Sequence, residues 1–190
     1  MSSLRSIALT AATLAALLFC SPLFAQGYDA AIKVLEEERI LGETNAGLLK
    51  TYAAKDVPIY AGGIQRYAAA QAGFNALIAQ LEAGLISGED VTATQDFQLE
   101  LQRASNRRME LSRYVQERVI DPLPEGSKGP AAVAGGLGLI AAAPELLAAL
   151  KDVALEIWDA YKQADQDRRD AMRTQLGAMK WRQFQDVPAL

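Results

Sequence analysis

Glu38, Gln71 and Arg108 stand at positions where the surrounding residue pattern calls for apolar side chains. A carboxylate, an amide and a guanidinium have complementary chemistry: the arginine fork holds a carboxylate on two bonds, and the amide serves the remaining donors. Brought together inside a helical protein, they would form a buried polar layer. Such a layer fixes packing register at some cost in stability, or forms a ligand or partner site between facing helices. A third arrangement lets Glu38 or Arg108 reach water along the seam edge, leaving no layer. Register fixing is the preferred reading.

Other chemistry is scarce. Histidine is absent and there is one cysteine, Cys20, so the commonest general base and the commonest metal ligands are missing. Glu36-Glu37-Glu38 is a run of acids, but adjacent residues on a helix point in different directions. Gly135-Gly136-x-Gly138 follows no strand and precedes no Lys-Ser/Thr, so it is no phosphate loop. No catalytic residue, cofactor or metal site is assigned. A carboxylate-dependent hydrolase acting on envelope glycan is the enzymatic alternative, although no carboxylate pair is flanked by aromatic and Gly/Asn loop residues. The net charge is −4, without the basic surplus needed to neutralise nucleic-acid phosphates.

The elements that position the three polar residues are helices. Ala, Leu, Gln, Glu and Arg dominate, and no stretch alternates apolar and polar residues convincingly. The first helix is expected from about Asp29 to Ala54, with the stripe Val34, Glu38, Leu41, Asn45, Leu48 and Tyr52. Asp56 caps a second helix ending near Ser87-Gly88, with the stripe Tyr60, Ile64, Tyr67, Gln71, Phe74, Ile78, Leu81 and Leu85. A third starts near Thr92 or Thr94, ends before Pro122, and carries Phe97, Leu101, Ala104, Arg108, Leu111, Val115 and Arg118. Alternating steps of three and four are the mark of coiled-coil-like bundle packing, and short connections make neighbours antiparallel. The expected fold is all-α, an up-down antiparallel bundle of three to four long helices. Glu38 and Gln71 lie about equally far from the turn near Lys55, and Gln71 and Arg108 about equally far from that near Glu89. At about 1.5 Å per residue, the three then meet within one helical turn of the same height.

The first 25 residues read as a secretory signal peptide: Arg5, an apolar run from Ile7 to Cys20, then Pro22 and the small Ala25. Cleavage after Ala25 leaves residues 26–190 as a single helical domain without cysteine and one charge more negative. Lipidation at Cys20 is disfavoured by the bulky Phe19 before it. The reading places the protein in the periplasm or outside the cell.

Residues 129–143 are expected to form an Ala/Gly-rich apolar connector or short packed helix between helices three and four. Pro130 and Pro144 bracket a stretch of about 20 Å as a helix, against about 30 Å for a bilayer core. Packing on protein is preferred; insertion of 129–150 into membrane is the alternative. The fourth helix begins near Pro144 with the stripe Leu146, Leu150, Val153, Ile157, Tyr161 and Ala164. Run on to Phe184 it would measure about 60 Å, so it breaks between Gln163 and Asp170 or projects. A projecting end would offer Met172, Met179, Trp181 and Phe184 as a partner or dimer surface; folding back over the bundle is slightly preferred. The expected function is non-catalytic binding of an envelope protein partner, or self-association.

Overall fold

A computed structural model describes residues 27–124 and 143–190. The signal peptide, 1–25, and residues 129–142 of the apolar connector lie outside the described residues. The protein is all-α, with no strand among the described residues. Helix α1 covers 27–48 and runs into a π turn, Leu49–Ala53. Helix α2 is Val57–Ser87, α3 is Gln95–Val115 followed by a π turn at Gln116–Ile120, α4 is Ala143–Gln163 and α5 is Gln166–Gly177. Residues 178–190 then run as a strap with one short 3-10 turn, Phe184–Asp186.

Local chemistry sets these boundaries. Asp56 accepts from the Ile59 amide at 3.1 Å, and Pro58 follows in the first turn, where its missing N–H costs nothing. Gly88 stops α2 in the left-handed region at φ 74°, and its N–H and that of Glu89 return to the Gly84 carbonyl. Thr94 caps α3 through the Phe97 amide at 3.2 Å. Asp165 caps α5 through the Arg168 amide at 2.9 Å.

The core is one cluster fed by every helix: Leu35 and Leu48 from α1, Tyr67, Phe74 and Ile78 from α2, Phe97 and Leu111 from α3, Ile157 from α4 and Leu176 from α5. Burial of such side chains, at about 1.5–3 kcal/mol each, is the main term holding the helices together. Helix α2 packs along α3, and α3 also meets α4. Gly73 makes the α2–α3 approach close, since a Cβ there would lie 3.2 Å from the Ala104 Cα.

The two π turns correct the expected stripes. Each wider turn rephases the chain, because a π turn takes more residues per turn than an α turn. Arg118 is therefore exposed while Val119 and Ile120 turn inward, and Tyr52 is half-buried while Leu49 and Ala53 take the core positions. The fourth helix does break, at Ala164–Asp165, within the polar stretch where its stripe weakens.

The strap folds back onto the body. Met172, Met179 and Trp181 are buried and Phe184 is half-buried, so in this structure these side chains face the body instead of projecting from it. Trp181 and Phe184 find more apolar area against α1 and α2 than exposure would allow.

Candidate functional site

Two of the three polar seam residues meet. Arg108 donates from Nε to Glu38 Oε2 at 3.0 Å and from Nη2 to Glu38 Oε1 at 3.2 Å, a two-bond fork between α3 and α1. The side chains are 5% and 13% exposed, so the pair is largely desolvated. Helical spacing extends the polar line in both helices. Ser105 and Ser112 flank Arg108 on the buried face of α3, and buried Asn45 donates to Ser112 Oγ at 3.4 Å. The neighbouring acids go elsewhere, Glu37 to Lys33 and Glu36 to Arg39. Among the described residues no three His, Cys, Asp or Glu side chains gather as a metal site.

Gln71 corrects the expected layer. Its amide nitrogen is turned to the strap, donating to the carbonyls of Trp181 at 3.1 Å and Arg182 at 2.6 Å. The reason is helical spacing: Tyr67, Gln71 and Asn75 are four residues apart and form one row along α2. Tyr67 donates its hydroxyl to the Arg182 carbonyl at 2.8 Å. Asn75 holds Trp181 from both sides, accepting from its N–H at 2.8 Å and donating to its carbonyl at 3.2 Å.

Helix α1 and its π turn supply the opposite wall. Glu43 accepts from the Arg182 main-chain N–H at 3.4 Å and pairs with the Arg182 guanidinium. Lys50 donates to the Gln185 carbonyl at 3.1 Å and to that of Val187. Thr51 Oγ accepts from the Leu190 N–H and donates to the Leu190 main-chain oxygen, both at 2.9 Å. Nearly every polar contact on the strap is thus a side chain of the helices meeting main chain of the strap. Recognition of that kind holds an extended segment largely without regard to its sequence.

Sequence enters through two pockets and one charge. The Trp181 ring lies against Gly42, where any Cβ would run into the indole, and between Tyr67 and Phe74 with centroids at 5.7 and 5.4 Å. Phe184 packs edge-on to Tyr60 and Tyr67 at 5.9 and 5.5 Å. Arg182 answers Glu43. Burial by itself pushes the Glu43 carboxyl up, but the hydrogen bonds and charge of Arg182, with the charge of Arg39, outweigh it and hold the group below its usual value. Burial, then the charge of Glu43, raises the Tyr67 phenol, so it stays a neutral donor. An open cleft of about 320 Å³ continues beside the strap, lined by Arg39, Ile40, Glu43, Arg182 and Leu190.

Glu43, Lys50, Thr51, Tyr67 and Asn75 are the residues that sequence reasoning misses as a set. The signal for part of it is present: Tyr67, Gln71 and Asn75 follow the four-residue step that marks one helix face. Compared with family models, with curated proteins and with solved structures, the chain matches none.

Proposed function

We propose that this chain is an exported, non-catalytic helical binding protein of a bacterial-type cell envelope, an up-down antiparallel bundle whose α1–α2 cleft takes extended protein segments. The supporting observation is the row Tyr67, Gln71 and Asn75, facing Glu43, Lys50 and Thr51, with all six spent on the main chain of one extended segment. Such a row supplies affinity through main-chain bonds and selectivity through side-chain pockets, the division of labour of peptide-recognition sites. The partner is an envelope protein or another copy of the chain.

The test is site-specific photo-crosslinking in the exporting cell, with the probe replacing Ile40, which is half exposed beside the strap. A discrete protein adduct, lost when the probe sits instead at the distant exposed Ile86, supports the reading. An adduct with lipid alone, accompanied by flotation of the protein with liposomes, replaces it with membrane action through 129–150. Release of soluble glycan fragments from envelope material by the purified protein replaces it with a hydrolase.

A further inference from the structure

The α4–α5 break contains no residue that forbids a helix. From Gln163 to Gln166 the chain reads Gln-Ala-Asp-Gln, and no Gly or Pro lies between Trp158 and Met172. Two caps hold the break instead. Asp165 Oδ1 accepts from the Arg168 amide, and Arg169 folds back to donate to the Tyr161 and Lys162 carbonyls at 3.1 and 3.2 Å, over the Tyr161 ring. Exchange of these caps for ordinary helical bonds would give one helix over 143–177, about 50 Å long. That helix would carry the strap away from its own body.

Helix α5 itself buries few side chains. Of its twelve residues only Met172 and Leu176 are buried, aided by Tyr28, whose hydroxyl reaches the Met172 carbonyl, and by the Lys180–Glu82 pair at 2.6 Å. Segments with few buried apolar contacts open first.

The groove itself names the matching ligand. It has a pocket for an indole at Gly42, an acid for a cation immediately after it, and an aromatic slot three residues beyond the indole. Trp181, Arg182 and Phe184 meet all three demands. The other tryptophan, Trp158, is followed by Asp159, whose charge has the wrong sign for Glu43.

From these observations we infer that the groove also binds the strap of a second copy of this chain, by reciprocal exchange of residues 166–190 about a hinge at Ala164–Asp165. The inference rests on the reading of the cleft as a groove for an extended segment. Exchange remakes between copies the same interactions it breaks within each chain, so only the hinge and concentration decide between the forms. Two copies exchanging reciprocally form a closed twofold pair.

Thr51 and Leu190 report the occupancy, being hydrogen-bonded neighbours at the surface. In a Cys20→Ser background, a chain with both Thr51→Cys and Leu190→Cys is oxidised alone, and single-cysteine chains are oxidised after mixing. The 51–190 disulfide peptide is identified by mass, which separates it from like-with-like adducts. The expected result is a 51–190 link within the double-cysteine chain and a 51–190 link between the two single-cysteine chains. Asp165→Ala with Arg169→Ala removes the caps of the break and raises the between-chain product by about fivefold, the effect of one lost N-cap. Asp165→Pro lowers it, because proline suits the observed φ of −69° but not a helix interior. A within-chain link with no between-chain link in any variant overturns the exchange and leaves the groove intact. Failure of the 51–190 link both within and between chains overturns the groove itself.

Discussion

Arg182 is tied to Glu43 twice, by its guanidinium to one carboxylate oxygen and by its main-chain N–H to the other at 3.4 Å. Side chain and backbone of one strap residue thereby depend on one acid of α1. Burial raises the Glu43 carboxyl, but Arg182 and Arg39 more than reverse this, so the folded value lies below the unfolded one. A lowered carboxylate contributes stability that is complete above the unfolded value, about 4.3 for Glu, and is lost as pH falls through the folded value. Glu43→Gln is therefore less stable than the parent near neutral pH. In urea titrations at stepped pH, the difference narrows below about pH 4. A difference independent of pH would show that the charge on Glu43 contributes nothing.

The Glu38–Arg108 fork predicts strong coupling. Removal of Arg108 strands the largely buried Glu38 carboxylate, at about 3–5 kcal/mol, and Glu38→Leu in the Arg108→Met chain recovers much of that loss. Denaturation of the four chains in a double-mutant cycle measures this. Small additive effects would mean that both groups are solvated and the pair does not organise the α1–α3 seam.

Gly42 is the floor of the Trp181 pocket. Gly42→Ala forces its Cβ into the indole and costs about 1–3 kcal/mol, the usual range for overpacking. Trp181→Phe in the same chain recovers most of the loss, because the smaller ring no longer reaches position 42. The indole N–H, buried with no hydrogen-bond partner among the described residues, goes with it. Thermal melts of the single and double variants decide this, and absence of recovery would place the clash elsewhere.

Asn75 closes on both sides of Trp181. Asn75→Leu leaves the Trp181 main-chain N–H without its acceptor, while Gln71 still serves the carbonyl, and costs about 1–3 kcal/mol. Hydrogen exchange at the Trp181 amide accelerates while amides in the middle of α2 keep their protection. Uniform acceleration along α2 would instead indicate loss of the helix.

Much of this architecture is legible in the residue pattern. Phe97, Leu101, Ala104, Leu111 and Val115 keep strict helical spacing, so α3 and its buried face follow from the pattern alone. Glu38 and Arg108 are legible as a pair because two complementary charges interrupt neighbouring seams at one height. Gln71 shares that height but not their fate. An amide on a seam satisfies a carbonyl as readily as a side chain, and nothing local announces which backbone will arrive. The π turns at Leu49–Ala53 and Gln116–Ile120 are hidden because a single rephased turn leaves the composition unchanged. The strap has no signature of its own, since its contacts are long-range and made largely through main chain that every sequence shares.

The measurement closest to the central claim is binding of a labelled peptide spanning residues 178–190 to the full chain carrying Arg182→Glu, whose own strap is repelled by Glu43. Fluorescence anisotropy should show saturable binding, weakened about tenfold when the peptide itself carries Arg182→Glu, since a like charge then faces Glu43. Absence of binding, or equal binding of the two peptides, would contradict the assignment of the α1–α2 cleft as a recognition groove.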